Sequence, residues 1–491
     1  MKINNLAQFF IQSANKFPHH AALVIDEITY TYQDILSAAN QLAHYLSLLP
    51  GKHCALLSAR GIDSYVALLA ILMAGKVYVP LSIKSPHYRN LEILKFSEAD
   101  LLIVDRECLP IVDDLLADYM GPLKVMTTQI AFSEPISSMM CESSNEEAYL
   151  LFTSGSTGTP KAVMTTHVSA VEYIQKMQAY YLPHEADRFS QLTDLSFDVA
   201  MHELFLCWAS GACLYVISDA QLATLNRFIE QHQLTFWTSV PSTIHLLKQW
   251  NRLLPNAFSS IRYTVLLGEP LLESLVCAWH AAAPHSKIDN LYGPTEATIV
   301  FTAYRWQPDK PHPSGYVPIG YPLKNQEVAI LDKNKKSVFM GEVGELYLSG
   351  SQVAKEYWRN PLMTQEKFVY LDNNKQWYKT GDYVYWDNEY GLVFKGREND
   401  MLKIRGARVE RLEVEMILQE VSETNIVSVV AESELIAFIG KSNVQNTDII
   451  KKCREKLPNY MVPTKIIRLE NLPYNKNGKV DYVRLKAYAF D

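Results

Sequence analysis

Several features that would assign this chain to a common functional class are missing from its sequence. No long block of Lys and Arg is present and the formal net charge is −7, so nucleic-acid binding has no electrostatic support. The longest apolar run, Val66 to Ala74, is too short to span a bilayer and is typical of a buried helix. The N-terminus carries polar residues where a signal peptide needs an apolar run. We therefore expect a cytoplasmic protein with no nucleic-acid partner and no membrane insertion.

Cysteine is scarce and follows no pattern. The seven cysteines are odd in number and contain no C-x-x-C pair, which argues against a disulfide framework and against a zinc site. We expect them to be small buried hydrophobic residues in a reducing compartment. No internal repeat and no low-complexity segment is visible. The length of 491 residues exceeds that of one ordinary core, so two or more domains are expected.

The chain does contain a regular alternation of short apolar strands and amphipathic helices. The alternation runs through residues 53–105 and resumes at residues 169–267. It predicts an α/β fold with parallel sheets flanked by helices. Short strands and turns then indicate a β subdomain at about 318–396, and residues 397–491 have the length of a small α+β domain. The predicted division is a large domain, 1–396, followed by a small C-terminal domain, 397–491.

The most informative stretch is the loop 151–161, which combines hydroxyls, two glycines and a final lysine. Gly155 and Gly158 let the backbone bend so that successive N–H groups can face one anion. The loop therefore predicts a phosphate site. It is not a Walker A loop, because Pro160 stands where the second glycine belongs and Ala162 stands where a magnesium-binding Ser or Thr belongs. A flexible surface linker is the alternative.

Four further clusters are each weak alone. Residues 290–298 offer an aromatic face, a tight turn and, in Glu296, a hard oxygen ligand suited to magnesium. Asp382 follows a glycine turn, where a carboxylate can accept two ribose hydroxyls. Gly396–Arg397 is the third cluster, and a turn near the chain end presents Lys479. Taken singly, these clusters fit ordinary turns and a solvated lysine.

Taken together and in this order, the clusters resemble the adenylate-forming superfamily. The similarity is to the amino-acid adenylation domains of nonribosomal peptide synthesis and to the D-alanyl carrier protein ligases. It extends from about Phe9 to Arg484 and includes Phe197–Asp198, the segment 403–406 and the segment 457–463. The resemblance implies that an amino acid and ATP, with Mg²⁺, give aminoacyl-AMP and pyrophosphate. A carrier-protein phosphopantetheine thiol then takes the aminoacyl group.

The resemblance also implies a role for individual residues. Lys479 would be the catalytic residue that bridges the substrate carboxylate and the α-phosphate, and Glu296 would meet the metal. A hinge at Asn399 and Asp400 would rotate the small domain after the first step, so that residues 402–408 replace Lys479 at the site. The residues implied in ATP binding are Thr153, Ser154, Gly155, Ser156, Thr157, Gly158, Lys161, Gly268, Asn290, Leu291, Tyr292, Gly293, Pro294, Thr295, Asp382, Phe394, Arg397 and Lys479.

Asp198 indicates the substrate class. It matches the family's aspartate that pairs with the substrate ammonium, a partner that a buried carboxylate needs; a helix N-cap is the alternative. The positions that match the family's substrate pocket are Asp198, Val199, His202, Ser239, Val265, Leu267, Leu291, Ile299 and Val300, six of which are aliphatic. They suggest an uncharged, largely apolar side chain of small to medium size. His202 is open to three interpretations: a contact to a polar substrate tip, a hydrogen bond to a neighbour such as Ser239, or a structural histidine.

Some residues depart from the family pattern. Ala162 replaces a glycine, Asn399 replaces the hinge aspartate, and Met401 replaces a glutamine; none of these changes removes a catalytic group. No carrier motif follows Lys479, so we expect a free-standing ligase that loads a separate carrier protein. The alternatives are an acyl- or aryl-CoA ligase of the same superfamily and a catalytically silent nucleotide-binding relative.

Overall fold

The computed structural model describes residues 3–128, 146–153, 160–310, 312, 315–371, 375–397, 401–424, 427–431, 434–473 and 480–490. Four of the sequence-based predictions fall outside these residues: most of the phosphate loop (154–159), the hinge residues Asn399 and Asp400, and Lys479. Within the described part of the chain, no helix combines the length and the apolar character needed to cross a membrane.

The first part of the chain builds a six-stranded sheet with strand order β6-β5-β3-β4-β7-β8. Every residue of the central strand β3 is buried, as expected for a parallel strand that is covered on both faces. The helices and strands of this part are α1 (Gln8–Lys16), β1 (Ala21–Ile25), β2 (Ile28–Thr31), α2 (Tyr32–Ser47), β3 (His53–Ser58), α3 (Ile62–Met73), β4 (Val77–Ser82), α4 (His87–Ser97), β5 (Leu101–Val104), a 3₁₀ turn (Arg106–Cys108), α5 (Leu109–Ala117), β6 (Lys124–Thr127), β7 (Glu147–Thr153) and β8 (Lys161–Thr166).

A nine-stranded sheet follows, with strand order β15-β14-β13-β12-β11-β9-β10-β1-β2. Its central strands are parallel, whereas β2, β14 and β15 run antiparallel at the edges. Its further elements are α6 (His167–Tyr181), β9 (Arg188–Gln191), α7 (Asp198–Ser210), β10 (Cys213–Val216), α8 (Asp219–Leu222), α9 (Leu225–His232), β11 (Phe236–Ser239), α10 (Pro241–Gln249), β12 (Tyr263–Leu267), α11 (Glu273–Ala282), β13 (Lys287–Tyr292), a 3₁₀ turn (Thr295–Ala297), β14 (Thr302–Arg305) and β15 (Tyr321–Pro322).

A five-stranded antiparallel sheet occupies the region in which the sequence predicted a β subdomain. Strand β19 is its long central strand and pairs with β17, β18 and β20. The described chain then resumes at Met401, and the predicted boundary after residue 396 falls inside β20. The elements of this region are β16 (Gln326–Leu331), β17 (Gly344–Gly350), α12 (Pro361–Lys367), β18 (Phe368–Leu371), β19 (Lys375–Asp387) and β20 (Gly391–Arg397).

The C-terminal unit, defined here as the described residues from Met401 onward, consists of a hairpin, a three-stranded sheet and helices. Strand β24 is central in that sheet, and its residues alternate between two apolar clusters. Leu435 and Ala437 pack with the hairpin residue Ile404, whereas Phe438 packs on the opposite face with Leu485 and Val480. The elements are β21 (Met401–Ile404), β22 (Ala407–Glu410), α13 (Arg411–Ser422), β23 (Val427–Ala431), β24 (Leu435–Ile439), α14 (Asn446–Lys456), a 3₁₀ turn (Asn459–Met461), β25 (Lys465–Arg468) and α15 (Tyr482–Phe490).

The main apolar core lies between the two large sheets and the helices that cover them. The predicted buried helix is α3, in which every residue from Ser64 to Met73 is buried. Strand β13 continues to Tyr292 and so includes the first residues of the 290–298 cluster, because its residues pair with both β12 and β14. The predicted mixture of parallel sheets, helices and a smaller C-terminal unit agrees with the observed architecture.

Candidate active site

A cavity of about 310 Å³ opens where the parallel strands of the two large sheets end. Thr153 lines it at the end of β7, Ser239 at the end of β11, Leu267 at the end of β12 and Tyr292 at the end of β13. Ligands of open α/β sheets gather at such carboxyl ends, which is where the sequence predicted the polar clusters to meet. The turn of the C-terminal hairpin, residues 405–407, closes another side of the same cavity.

A buried tyrosine and a buried carboxylate stand at one end of this cavity. The Tyr292 hydroxyl donates a hydrogen bond of 2.5 Å to Asp382 Oδ2, and both residues line the cavity. The carboxylate follows Gly381, whose φ of +75° lies in the left-handed region that favours glycine. Gly381 lies inside strand β19, so the turn expected from the sequence is instead a local departure from extended backbone directly before Asp382.

A narrower cavity adjoins this end and contains several of the residues implied in ATP binding. Gly268, Leu291, Tyr292 and Phe394 line it. Asn290 also lines it, but its amide nitrogen donates to two backbone carbonyls, those of Val317 at 3.1 Å and Pro318 at 2.9 Å. Asn290 therefore holds the loop after residue 315 in position.

Lys161 is buried between two carboxylates that belong to distant parts of the chain. Its Nζ lies 3.5 Å from Glu296 Oε1 and 3.7 Å from Glu410 Oε1. The Tyr357 hydroxyl donates a 2.6 Å hydrogen bond to the same oxygen of Glu296. The Thr153 hydroxyl, at the start of the phosphate loop, is buried and has no hydrogen-bond partner among the described residues. A lysine, a hydroxyl and a carboxylate are thus gathered beside the loop.

These groups fit a magnesium ion that is shared with a nucleotide. Within the described ranges, no three His, Cys, Asp or Glu side chains converge as a metal site. Mg²⁺ usually keeps several waters and takes one or two carboxylates together with substrate phosphates. Glu296, fully buried and next to the phosphate loop, is a donor of that kind.

Asp198 is the first residue of α7 and lines the cavity. The N-cap of this helix is Phe197, so Asp198 stands one position inside the helix and not at the cap. Burial raises the pKa of Asp198 to about 6, although a hydrogen bond from the Thr295 hydroxyl opposes the rise. No cation is among the groups that shift this pKa. A bound ammonium would therefore stabilise the carboxylate.

Only some of the predicted pocket residues reach the cavity. Asp198, Val199, Ser239, Leu267 and Ile299 line it. Of the remaining four, His202, Val265 and Val300 are buried in the core behind it, whereas Leu291 is buried and lines the narrower adjoining cavity.

His202 is partnered by a residue that the sequence did not suggest. Its Nδ1 lies 2.6 Å from the Tyr173 hydroxyl, and burial lowers the pKa of its imidazole to about 3, so the ring is neutral. The suggested hydrogen bond to Ser239 is wrong: the Nε2 of His202 has no hydrogen-bond partner among the described residues, and the Ser239 hydroxyl accepts from the Trp237 indole at 2.9 Å.

Comparisons with known proteins agree with this geometry. Residues 10–358 match the family model described as "AMP-binding enzyme". The chain belongs to the AMP-binding enzyme family. This AMP-binding enzyme is 31% identical to gramicidin S synthase 1 from Brevibacillus brevis, over 97% of its own length and 44% of that protein. It is 31% identical to tyrocidine synthase 3 from Brevibacillus parabrevis, over 97% of its own length and 7% of that protein. The chain thus spans less than half the length of these curated relatives.

Solved structures of similar proteins cover the whole chain. The Vibrio cholerae adenylation domain AlmE, in complex with glycyl-adenosine-5'-phosphate, matches with a TM-score of 0.90 at 29% identity, over 100% of this chain and 99% of that one. NpsA-ThdA, an artificially fused adenylation-PCP di-domain from Klebsiella oxytoca, matches with a TM-score of 0.82 at 25% identity, over 95% and 94% of the two chains. The predicted fold class and the predicted membership of the adenylate-forming superfamily are therefore confirmed.

This AMP-binding enzyme contains one group of functional contacts that sequence reasoning missed. The C-terminal unit is docked on the rest of the enzyme through buried polar contacts. Arg89 on α4 and Glu413 on α13 form a 2.7 Å ion pair in which both side chains are almost fully buried. The backbone N–H of Gly406 donates to Glu269 at 2.5 Å. Arg89 and Glu413 are separated by 324 positions, so no local pattern indicated their pairing.

Proposed function

We propose that this enzyme activates an amino acid with ATP and then transfers the aminoacyl group to the phosphopantetheine thiol of a separate carrier protein. The observation that carries the amino-acid part is Asp198, a half-buried carboxylate on the cavity wall whose pKa is raised to about 6 by desolvation. A cationic substrate group would satisfy it. An aryl or fatty acid has no such group, so a CoA ligase for those acids is the weaker alternative.

In the proposed first half-reaction, the substrate carboxylate attacks the α-phosphorus of ATP. The bond from that phosphorus to the pyrophosphate oxygen breaks, and aminoacyl-AMP and pyrophosphate form. Thr153 and Lys161 would hold the phosphates, Asp382 the ribose, and Lys479 would offset the repulsion between the reacting anions. Magnesium held near Glu296 would supply further neutralisation of the phosphates.

In the proposed second half-reaction, a carrier thiolate attacks the carbonyl carbon of the adenylate. A thioester forms, the carbon–oxygen bond to the phosphate breaks, and AMP leaves with the bonding electrons while the thiol proton passes to solvent. The docked hairpin supports this step, because Arg405, Gly406 and Ala407 line the cavity. The arrangement corresponds to the orientation expected after adenylation.

Pyrophosphate exchange tests the proposal. The purified enzyme is incubated with ATP, magnesium, labelled pyrophosphate and one candidate acid at a time, from a panel of amino acids, aryl acids and fatty acids. Exchange that depends on an amino acid is expected. Exchange with aryl or fatty acids alone would favour the CoA ligase, and no exchange with any acid would favour a silent relative. Thioester formation on a holo-carrier protein, compared with coenzyme A, then identifies the acceptor.

The raised pKa of Asp198 predicts a pH dependence of substrate capture. Only the ionised carboxylate can pair with an ammonium, so kcat/KM for the amino acid should rise with pH and level off above about 7, one unit above the pKa of about 6. Below pH 6 it should fall about tenfold per pH unit. Pyrophosphate exchange at limiting amino acid and saturating ATP measures this profile. Asp198→Asn should remove the inflection, and an unchanged inflection in that variant would assign it to another group.

The buried pair of Arg89 and Glu413 predicts a selective effect on transfer. Glu413→Gln leaves the Arg89 guanidinium buried without its anionic partner, which should disfavour docking of the C-terminal unit. We expect thioester formation on the carrier to slow at least about tenfold, while pyrophosphate exchange changes by less than about twofold. The double variant Arg89→Met/Glu413→Leu should recover part of the transfer rate, because removing both charges avoids the unpaired one.

An exposed ion pair provides the control for this prediction. Lys84 and Asp219 lie 2.7 Å apart with largely exposed side chains, and such pairs contribute little. Lys84→Met should leave both half-reactions unchanged. Equal losses of exchange and transfer in Glu413→Gln would mean that the buried pair only supports the fold.

A further inference from the structure

Lys161, the residue that closes the phosphate loop, is held in place by groups from the large part of the chain. It stands opposite Thr153 where strands β7 and β8 pair, so the two residues flank the loop. Its ammonium lies 3.5 Å from Glu296 Oε1 and 5.2 Å from the centre of the Tyr357 ring. All of these residues precede the C-terminal unit in the sequence. Their hold on Lys161 therefore does not depend on where that unit is docked.

A second carboxylate reaches Lys161 from the C-terminal unit. Glu410 is the last residue of β22, and its Oε1 lies 3.7 Å from Lys161 Nζ. The side chains of Lys161 and Glu410 are only 4% and 8% exposed, so the pair has lost most of its contact with water. A carboxylate in such a place needs a cation. The contact exists only while the C-terminal unit is docked, because Glu410 moves with the hairpin that carries it.

The charges around Lys161 oppose the arrival of a further anion in this arrangement. One ammonium lies between two carboxylates, so the three side chains carry a formal net charge of −1. Pyrophosphate bound at Lys161 would bring several more negative charges next to Glu410, where burial keeps screening weak. Mg²⁺ that arrives with the phosphates can compensate Glu296, whereas undocking removes Glu410 from the site. Two anions, one from the protein and one from the reaction, therefore compete for one lysine.

We infer that Glu410 is a positioning residue that replaces pyrophosphate on Lys161 when the C-terminal unit docks. This inference rests on the proposed function, in which Lys161 holds the phosphates of ATP during the first half-reaction. Once pyrophosphate leaves, Lys161 becomes available to Glu410 and the hairpin can enter the cavity. While pyrophosphate stays, docking is disfavoured and transfer waits. The coupling is reciprocal: docking weakens pyrophosphate binding by the same factor by which pyrophosphate weakens docking.

Equilibrium binding of inorganic pyrophosphate to the full chain, with magnesium present, tests this exchange. Glu410→Gln keeps the size of the side chain and removes its charge. Because the neutral amide no longer competes for Lys161, pyrophosphate should bind at least about fivefold more tightly than to the native enzyme. Glu455→Gln removes a charge from an exposed position of α14 and should leave the affinity unchanged. Thermal unfolding reports whether each variant retains the fold.

Lys161→Met separates competition for the lysine from every other effect of Glu410. In this background Glu410→Gln should tighten pyrophosphate binding by less than about twofold, because the contested cation is absent. Equal tightening in the native and the Lys161→Met backgrounds would overturn the inference.

Transfer provides an independent readout of the same competition. Labelled aminoacyl-AMP is mixed with the enzyme, the holo-carrier protein and increasing pyrophosphate, and the thioester is counted separately from ATP formed by reversal. Saturating pyrophosphate should slow thioester formation by the native enzyme at least about fivefold. An unaffected rate would overturn the inference, as would an unchanged pyrophosphate affinity in Glu410→Gln or an equal gain in Glu455→Gln; amino-acid-dependent exchange would persist in each case. Absence of exchange with every acid would instead overturn the proposed function, and this inference with it.

Discussion

Replacing Asp198 by asparagine is expected to raise the amino-acid KM about 100-fold and to leave the KM for ATP unchanged. Asparagine keeps the size of the side chain and can still accept a hydrogen bond from Thr295, so the variant removes mainly the charge. An ammonium bound beside a neutral amide in a buried cavity loses its partner, which costs about 3 kcal/mol. Pyrophosphate exchange at saturating ATP measures the change.

A deaminated substrate provides the control for this variant. Propionate has the carboxylate and the methyl group of alanine but no ammonium. The native enzyme and Asp198→Asn should therefore have the same KM for propionate. Comparing the effect of the substitution on the KM for alanine with its effect on the KM for propionate isolates the pairing of Asp198 with the ammonium, as in a double-mutant cycle. If the substitution raises the KM for alanine and for propionate by the same factor, Asp198 does not pair with the ammonium and acts only as a residue of the first turn of α7.

Replacing Lys479 by alanine is expected to slow adenylate formation about 100- to 1000-fold, the loss that follows removal of one preorganised group from a developing anion. ATP affinity should stay within about threefold, because Lys161 and the phosphate loop would still hold the nucleotide. Single-turnover formation of labelled adenylate measures the first quantity and equilibrium nucleotide binding the second.

Two controls separate a catalytic role of Lys479 from a general loss of charge. Lys476 stands three positions earlier in the sequence, and Lys476→Ala should leave adenylate formation nearly unchanged. Transfer from preformed aminoacyl-AMP to the carrier thiol should also be normal in Lys479→Ala, since the role proposed for this lysine is confined to the first half-reaction. Slow transfer in that assay would contradict the division of roles.

Much of the fold was predictable because its signals are local. The alternation of apolar strands and amphipathic helices indicated the parallel sheets, and the first strand of the predicted alternation, which begins at residue 53, is the buried strand β3. The polar clusters that follow these strands met at the carboxyl ends, as the geometry of parallel sheets requires. Tyr292 and Asp382, 90 positions apart, were both expected at the nucleotide and now form one hydrogen-bonded pair.

The remaining features of the site depend on contacts between residues that are far apart in the sequence, and no local sequence pattern indicates such contacts. The ion pair of Arg89 with Glu413 joins two distant parts of the chain. The burial of Lys161 between two carboxylates requires the docked C-terminal unit, because one of them is Glu410. Ile299 has a left-handed backbone conformation with a φ of +73°, and the carbonyl of the next residue, Val300, accepts a hydrogen bond from the side chain of Gln352, 52 positions away. The family resemblance indicated nine pocket residues. Which of them line the cavity depends on how the core packs, and this became visible only in the structure.

The two faces of strand β24 have a kinetic consequence for the proposed cycle. The hairpin that lines the cavity packs on one face, while Val480, the residue after Lys479, packs on the other. One sheet therefore separates the hairpin from Val480. In the proposed cycle the hairpin and Lys479 act at the cavity in turn, so each turnover would include two reorientations of this unit, and their rates would set a ceiling on kcat that faster chemistry in either half-reaction could not raise.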